Sequence, residues 1–333
     1  MKRVWLKILK DFGIFMLIVM IVMVPSILLS VFGPREFKYH DDSFDEFDYV
    51  VPEAENYSII FDQHSHTKYS DGILTVEQNI KWHIAHGFNA MVLTDHNNLR
   101  NSEDLQEMAT KYAVDFIIIQ GMEWTTGRLH MNFLGLTEWN MRIPVNPSDA
   151  QIQEAIDEAH SQGAVVTVNH IPWSLPRMPN HPTRQQLLAW GVDYIEIVNE
   201  DDYDYDSDPW INNTGGFGAI TGTDMHSPMN VNAWTLMNTT FTAEGIMDEL
   251  RARNTTIVYN TAGSPDMSVS YENPWYDIFS PFIFLGEMFE NYYENRITIP
   301  LYFGYLIIAF ASYQGIIYGI QALKEKNKSR KSE

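Results

Sequence analysis

The chain has 333 residues, 45% apolar and 13% aromatic, which excludes a disordered polymer and leaves room for one large domain or two small ones. Its formal net charge is −21 and it has no cysteine, so thiolate metal sites, disulfide staples and cysteine nucleophiles are excluded. Sulfur therefore does not report the redox compartment.

Residues 1–11 form a tail carrying Lys2, Arg3, Lys7 and Lys10. Residues 12–32 hold no charge, and at about 1.5 Å per helical residue they reach roughly 31 Å, the thickness of a bilayer core. The run is longer than a signal-peptide core, and a cut after Ser30 would place Leu28 where a small residue is needed, so an uncleaved anchor is expected. Residues 33–56, acidic and aromatic without a period, read as a linker, and a folded domain is expected over 57–260. Residues 261–296 contain "YDIFSPFIFLGEMF", suited equally to the membrane interface and to packing on the domain. A second uncharged run covers 297–323, followed by a basic tail over 324–333 with Lys324, Lys326, Lys328, Arg330 and Lys331.

Basic flanks stay on the cytoplasmic side, so a two-pass protein of the cell membrane is expected, with both termini cytoplasmic and the domain extracytoplasmic. Two such anchors are compatible with an oligomer. Residues 12–323 contain 13 basic and 40 acidic side chains. So acidic a domain should repel nucleic acid and anionic lipid surfaces, and no nucleic-acid partner is expected.

Within 57–260, short apolar runs alternate with helix-like stretches: "YSIIF" then "TVEQNIKWHIAHG", "NAMVLT" then "NSEDLQEMATKY", "DAQIQEAIDEAHSQG" then "AVVTV". This alternation predicts an α/β fold with a parallel sheet, open or closed into a barrel. In such sheets function collects at the carboxyl ends of the strands. His64 and His66 follow "YSIIF" and share one parity of an extended chain, so their imidazoles can converge. Asp95 and His96 follow "MVLT", Glu123 follows "FIIIQG", His170 follows "AVVTVN", and Asp224 and His226 follow "AITGT". His130 lies on the next extended run after Glu123. The other five histidines, His40, His83, His86, His160 and His181, are expected in the linker, on helices and in a loop. Six imidazoles with Asp71, Glu123 and Asp224 exceed the needs of one ion and suit two or three, with zinc, manganese and iron all compatible with nitrogen and oxygen donors. The acidic loop "NEDDYDYDSDPW" lacks the spacing of a calcium-binding hand and is expected to be solvated.

The segments "DQHSHTKYSDG", "TDHN", "GMEWT", "HMNFLG", "NHIP" and "GTDMHS" together resemble the polymerase and histidinol phosphatase (PHP) superfamily of metallohydrolases. The resemblance implies a distorted barrel of about seven β/α units, here flanked by two transmembrane helices. It implies that His64, His66, Glu123 and Asp224 ligate one metal, that Glu123 bridges to a second completed by His130 and His170, and that Asp71, His96 and His226 surround a third. Family members vary between His and Asp at the position of Asp71. Asp62 and Asp95 are expected to orient ligand histidines, and Lys68, Arg128 and Arg177 to hold a phosphate or another anion. The implied activity is hydrolysis of a phosphate mono- or diester by a metal-activated hydroxide, with an anionic small molecule or an envelope component as substrate. The tail "AWTLMNTTFTAEGIMDELRARNTTIVYN" is similar to the carbaryl hydrolase-like branch, which would make a carboxylic or carbamic ester the substrate. A metal-binding sensor or assembly protein without turnover is the third expectation.

Overall fold

The computed structural model of the protein describes residues 2–290 and 297–329. Arg330 and Lys331 of the second basic tail, and residues 291–296, lie outside the described residues. From the N-terminus come α1 (Lys2–Phe32), β1 (Phe37–Lys38), β2 (Ile59–Asp62), α2 (Val76–Ala85), β3 (Ala90–Leu93) and α3 (Ser102–Lys111). Next are β4 (Ile117–Thr125), β5 (His130–Leu134), α4 (Asp149–Ser161), β6 (Val165–Val168), α5 (Ile171–Arg177) and α6 (Arg184–Ala189). They lead to β7 (Tyr194–Asn199), β8 (Asp202–Tyr203), α7 (Ser207–Thr214), β9 (Gly218–Gly222), β10 (Ala233–Met237) and α8 (Ala243–Ala252). The order closes with β11 (Thr256–Tyr259), β12 (Tyr271–Glu272), α9 (Pro274–Glu290) and α10 (Thr298–Ser329). The chain divides into two compact units, residues 1–37 with 272–333, and residues 38–271.

The second unit is built on one sheet in the order β11-β10-β2-β3-β4-β5-β6-β7-β8, with β9 beside β7. Strands β3 and β6 are buried throughout, as expected of strands covered on both faces. Helices α2, α4 and α6 each begin with a capping box, from Thr75 with Gln78, Ser148 with Gln151, and Thr183 with Gln186. The sheet curls so far that Thr221 of β9 bonds Thr235 of β10 through its amide at 3.0 Å and its hydroxyl at 2.9 Å. An α/β unit with a strongly curled, half-barrel sheet fits the expected barrel.

The sheet is mixed rather than parallel. Pairs β2/β3, β3/β4, β6/β7 and β7/β9 are parallel, whereas β4/β5, β5/β6, β10/β2 and β10/β11 are antiparallel. The reason is local: β4 and β5 are separated only by residues 126–129, far short of the dozen or more that a parallel crossover needs.

Apolar side chains fill the inside of the curl, where Ile59, Phe61, Val92, Tyr194 and Ile220 meet Ile246 and Leu250 of α8. A second cluster lies under α2 and includes Ile80, Trp82, Leu93 and Trp234. Phe44, Val51 and Ala54, within the stretch read as a linker, are buried in that cluster, so the linker's second half is part of the core.

In the first unit, α1 and α10 are each long and apolar enough to cross a membrane, over Trp5–Phe32 and Thr298–Lys324. Helix α9 packs along α1, where a β-carbon on Gly286 would collide with the Ser26 carbonyl and meet the Ser30 hydroxyl at 2.6 Å. The ring of Phe310 in α10 lies 5.2 Å from both Phe12 and Phe15, and Gln314 Nε2 donates to Asp11 Oδ2 at 3.2 Å.

Candidate metal centre

The loops that leave the parallel strands are lashed together at one edge of the sheet. The His66 amide donates to the Met225 carbonyl (3.0 Å), the Asp224 amide to the His64 carbonyl (2.8 Å), and the Ile73 amide to the His226 carbonyl (2.8 Å). These bonds join the end of β2 to the end of β9, which lie about 160 residues apart in the chain. A backbone bridge between His96 and Glu123 joins the ends of β3 and β4. Because β5 runs antiparallel to β4, its first residue, His130, falls on the same edge, opposite Thr125.

Two glycines make the approach possible. A β-carbon on Gly222 would lie 2.6 Å from His64 Cβ and collide with the Glu196 carboxylate. One on Gly72 would lie 2.6 Å from the His66 carbonyl, so the loop carrying Asp71 folds back only because this residue has no side chain. His170 and Asp224 hold left-handed backbone angles, φ +28° and +50°, each costing about 1–3 kcal/mol unless the surroundings fix it. They are fixed by the Glu196 carboxylate on the His170 amide (2.7 Å) and by the His64 carbonyl on the Asp224 amide (2.8 Å).

All nine side chains expected as ligands come together. His64 Nε2 and His66 Nε2 each lie 3.1 Å from Asp224 Oδ1. Glu123 Oε1 is 3.5 Å from His64 Nε2, 3.4 Å from His170 Nε2 and 3.1 Å from His130 Nδ1. Asp71 faces His96 Nε2 at 3.4 Å and His226 Nε2 at 3.3 Å. Three overlapping donor groups result: His64, Glu123 and His170; His64, His66 and Asp224; and His66, Asp71, His96 and His226. This grouping differs from the family-based expectation, since His66 also joins the outer group and His130 belongs to none of the three.

The donor set fits metal ions. His64 Nε2, both nitrogens of His66 and His130 Nδ1 are buried without a hydrogen bond, although carboxylate oxygens lie within 4 Å of His64, His66 and His130. Leaving so many buried polar atoms unpaired is costly, and nitrogens that converge with carboxylate oxygens offer a cation its ligands. Four Nδ1 atoms are held: that of His64 by Glu196 (2.9 Å), of His96 by Thr125 (2.6 Å) and Glu123 Oε2 (2.6 Å), of His170 by Ser174 (3.1 Å) and of His226 by the Asp224 carbonyl (2.7 Å). Each contact leaves Nε2 turned to the shared space, the arrangement by which protein ligands are oriented.

The electrostatics divide: despite their burial, facing carboxylates raise His64, His96 and His170, which favours their protonated forms when no cation is bound. Although burial favours their neutral forms, Glu123, Asp224 and Asp71 are held below the usual carboxylate range by the histidines facing them. Burial, helped by His226 and His96, lowers His66 to about 4 and keeps it a neutral donor. His226 at the mouth is raised to about 9, because Asp71 and Asp224 outweigh its burial.

The expected supporting residues fare differently. Neither Asp62 nor Asp95 touches the ring of a ligand histidine. Asp62 accepts from the Thr223 amide (3.0 Å) and hydroxyl (2.6 Å) and contacts His83 Nε2 (2.9 Å). Asp95 accepts from the Thr67 amide (2.8 Å), Ser70 (2.7 Å) and Asn101 (2.6 Å). Both short carboxylates are spent on the loops that carry the ligands. Arg128 is occupied by the Pro147 and Asn180 carbonyls and by Asp149 (2.8 Å), so its guanidinium braces loops instead of waiting for an anion. Arg177 donates to the Trp173 carbonyl and lies 4.9 Å from that residue's ring. Lys68 is exposed.

The residue missed was Glu196, fully buried in β7, which binds His64, Gln63 (2.6 Å), Asn199 (3.1 Å) and the His170 amide. Its signal was an acid inside the otherwise apolar "YIEIV". Asn169 was also missed; it donates to Glu123 Oε1 at 3.0 Å.

Residues 62–181 match the family model of the PHP domain. No curated protein matches the chain. Among solved structures, the chain is similar to a two-domain protein from Bacteroides vulgatus containing a predicted PHP-like metal-dependent phosphoesterase, at 23% identity and a TM-score of 0.52, over 64% of this chain and 68% of that one. It also aligns with a metal-dependent phosphoesterase from Bifidobacterium adolescentis, at 14% identity and a TM-score of 0.40, over 50% and 87% of the two chains. A lesion-specific endonuclease from Pyrococcus furiosus aligns at 15% identity and a TM-score of 0.44, over 60% and 57%. The latter two alignments are too loose to bear on the fold. The domain match covers seven of the nine expected donors, all but Asp224 and His226, and supports the PHP superfamily and a metal-dependent hydrolase.

Proposed function

We propose that the chain is a membrane-anchored phosphoesterase that cleaves a phosphate mono- or diester at a centre of two or three divalent ions, on the extracytoplasmic side. The observation carrying this reading is the convergence of eight imidazole and carboxylate donors in three overlapping groups, two buried and one at the surface, with histidine nitrogens left unpaired. The three donor groups would each hold an ion, with Glu123, His64 and His66 as the shared or adjoining ligands. When bound, such ions supply positive charge to a phosphoryl oxygen and lower the pKa of a water.

The chain's own residues do the rest. Glu196 fixes the tautomer and angle of His64 and, through the His170 amide, the start of α5. Asn169 holds the Glu123 carboxylate from behind. Lys68 is exposed, and in this reading its charge would add to the attraction of an anionic ester. The long apolar helices α1 and α10, each flanked by basic residues, support a two-pass anchor with both termini cytoplasmic.

The test is hydrolysis by the purified, metal-loaded full chain of bis-nitrophenyl phosphate, nitrophenyl phosphate, nitrophenyl acetate and a single-stranded oligonucleotide, beside a His64→Ala, His66→Ala variant. Cleavage of a small phosphate ester that disappears with chelator and in the variant is expected. Acetate as the sole substrate would favour the carboxylic or carbamic ester reading, oligonucleotide cleavage would overturn the inference drawn from the acidic surface, and tight metal binding without turnover would favour a sensor.

A further inference from the structure

We propose that Gln63 and Asn132 are positioning residues of the metal centre, joined through Asn169 into a buried line of carboxamides that holds Glu196 and Glu123, the carboxylates at its two ends, in one mutual arrangement. The inference rests on the metal centre of the proposed function and not on the ester cleaved there.

Side chains that face the inside of the curl recur at every second residue of a strand. Phe61, Leu134, Val165 and Tyr194 make one apolar layer there. At the next inward position toward the donors stand Gln63, just past β2, Asn132 of β5, Thr167 of β6 and Glu196 of β7. A polar layer thus separates the hydrocarbon from the metal centre, and Gln63, Asn132, Asn169 and Glu123 are wholly buried. Hydrocarbon would fill this layer without cost, whereas a buried carboxamide destabilises the fold unless it is bonded. The partners of these amides therefore show what they are for.

Their bonds run one way. Asn169 Nδ2 donates to Glu123 Oε1 at 3.0 Å and to Asn132 Oδ1 at 2.9 Å, Asn132 Nδ2 donates to Gln63 Oε1 at 3.0 Å, and Gln63 Nε2 donates to Glu196 Oε1 at 2.6 Å. A carboxylate only accepts, so the amides at both ends must present nitrogen, and each carbonyl is then left facing the next donor. No amide can turn over without breaking a neighbour's bond. Asn132 is locked twice, since it also donates to the Gln63 backbone carbonyl at 3.0 Å and lies opposite Glu123 in the β4/β5 pairing. His64 completes a ring: its Nδ1 contacts Glu196 at 2.9 Å and its Nε2 lies 3.5 Å from Glu123. The line therefore fixes, from behind, the two carboxylates between which this donor sits, and opening it at any link frees both.

The experiment measures cobalt(II) binding to the full chain, by competition with a chelating dye and by the visible spectrum of the bound ion, read per folded chain. Gln63 and Asn169 end on different carboxylates and meet through Asn132, so two independent supports would lose affinity multiplicatively. Gln63→Met and Asn169→Ala should each weaken cobalt binding about tenfold and change the spectrum, and the double variant should also lose about tenfold instead of about 100-fold. Asn132→Leu should match the single variants; if it does not fold, the Gln63 and Asn169 pair decides alone. Thr167→Val removes from the same layer a buried hydroxyl that makes no hydrogen bond, and should leave affinity and spectrum unchanged. Losses that multiply, an unaltered affinity and spectrum in Gln63→Met, or an equal loss in Thr167→Val each overturn the inference. Failure of the unaltered chain to bind cobalt overturns the centre and this inference with it, whereas failure to cleave an ester removes the phosphoesterase reading and leaves the positioning role standing.

Discussion

Two pairs of histidines occupy the same domain, His64 with His66 at the end of β2 and His83 with His86 on α2, and all four are fully buried. Only the first pair converges with carboxylates on a shared space. His83 is satisfied on both sides, by the Asn79 carbonyl (2.8 Å) and Asp62 (2.9 Å), and His86 bonds Ser264 at 2.7 Å while belonging to no donor group. Burial of a histidine therefore says little about its role. What separates a ligand from a structural histidine is whether its free nitrogen meets other donors, and that is set by strand ends that the fold brings together.

The largest effect expected from this contrast is a division of losses between the two pairs. Replacing His64 and His66 by Ala should abolish tight metal binding and lower phosphate-ester turnover at least about 100-fold, more than the 10–100-fold typical of outer residues. Metal analysis and kinetics check it, read per folded chain because Glu196 and Asp224 also lose buried partners. His83→Leu should do the reverse, costing about 3 kcal/mol in denaturant unfolding because Asp62 loses a buried partner, while metal binding survives. Next in size is Glu196→Gln, which should weaken metal binding by about tenfold without unfolding the chain, as read by competition with a chelating dye.

The basic residues sharpen the same point at lower amplitude. Arg128→Ala should reduce stability by about 1 kcal/mol and leave KM unchanged, since its guanidinium serves loop carbonyls. Lys68→Ala should raise KM several-fold at low salt with no change in melting temperature. A pH effect concerns His86, whose folded-state pKa is pushed down to about 3 by burial first and by His83 second, against 6.5 when exposed. Between those values the unfolded chain binds a proton that the folded chain does not, so stability should fall as pH drops from 6.5 toward 3. His86→Asn should flatten that slope in urea unfolding across the window.

The converging side chains were legible because they obey local rules: His64 and His66 share a parity, and His96, Glu123, His170, Asp224 and His226 each sit at or just past an apolar strand. Their grouping was not legible, because it depends on side-chain reach between loops up to 160 residues apart. Strand direction was misread where helical alternation was assumed throughout, although the four residues between β4 and β5 allow only a hairpin. Glu196 escaped because a strand acid looks like a solvent-facing residue until both faces of the strand are known to be covered. The partners of Asp62, Asp95 and Arg128 were not legible for one reason: nearness in sequence to a motif does not tell whether a short carboxylate or a long cation turns toward the site or toward the loops supporting it.

The most direct measurement is the metal content of the purified full chain, taken together with bis-nitrophenyl phosphate turnover before and after chelation. Two to three divalent ions per chain, with turnover lost on removal and regained on addition, is the predicted result. Less than one ion per chain, or cleavage that persists without metal, would contradict the account.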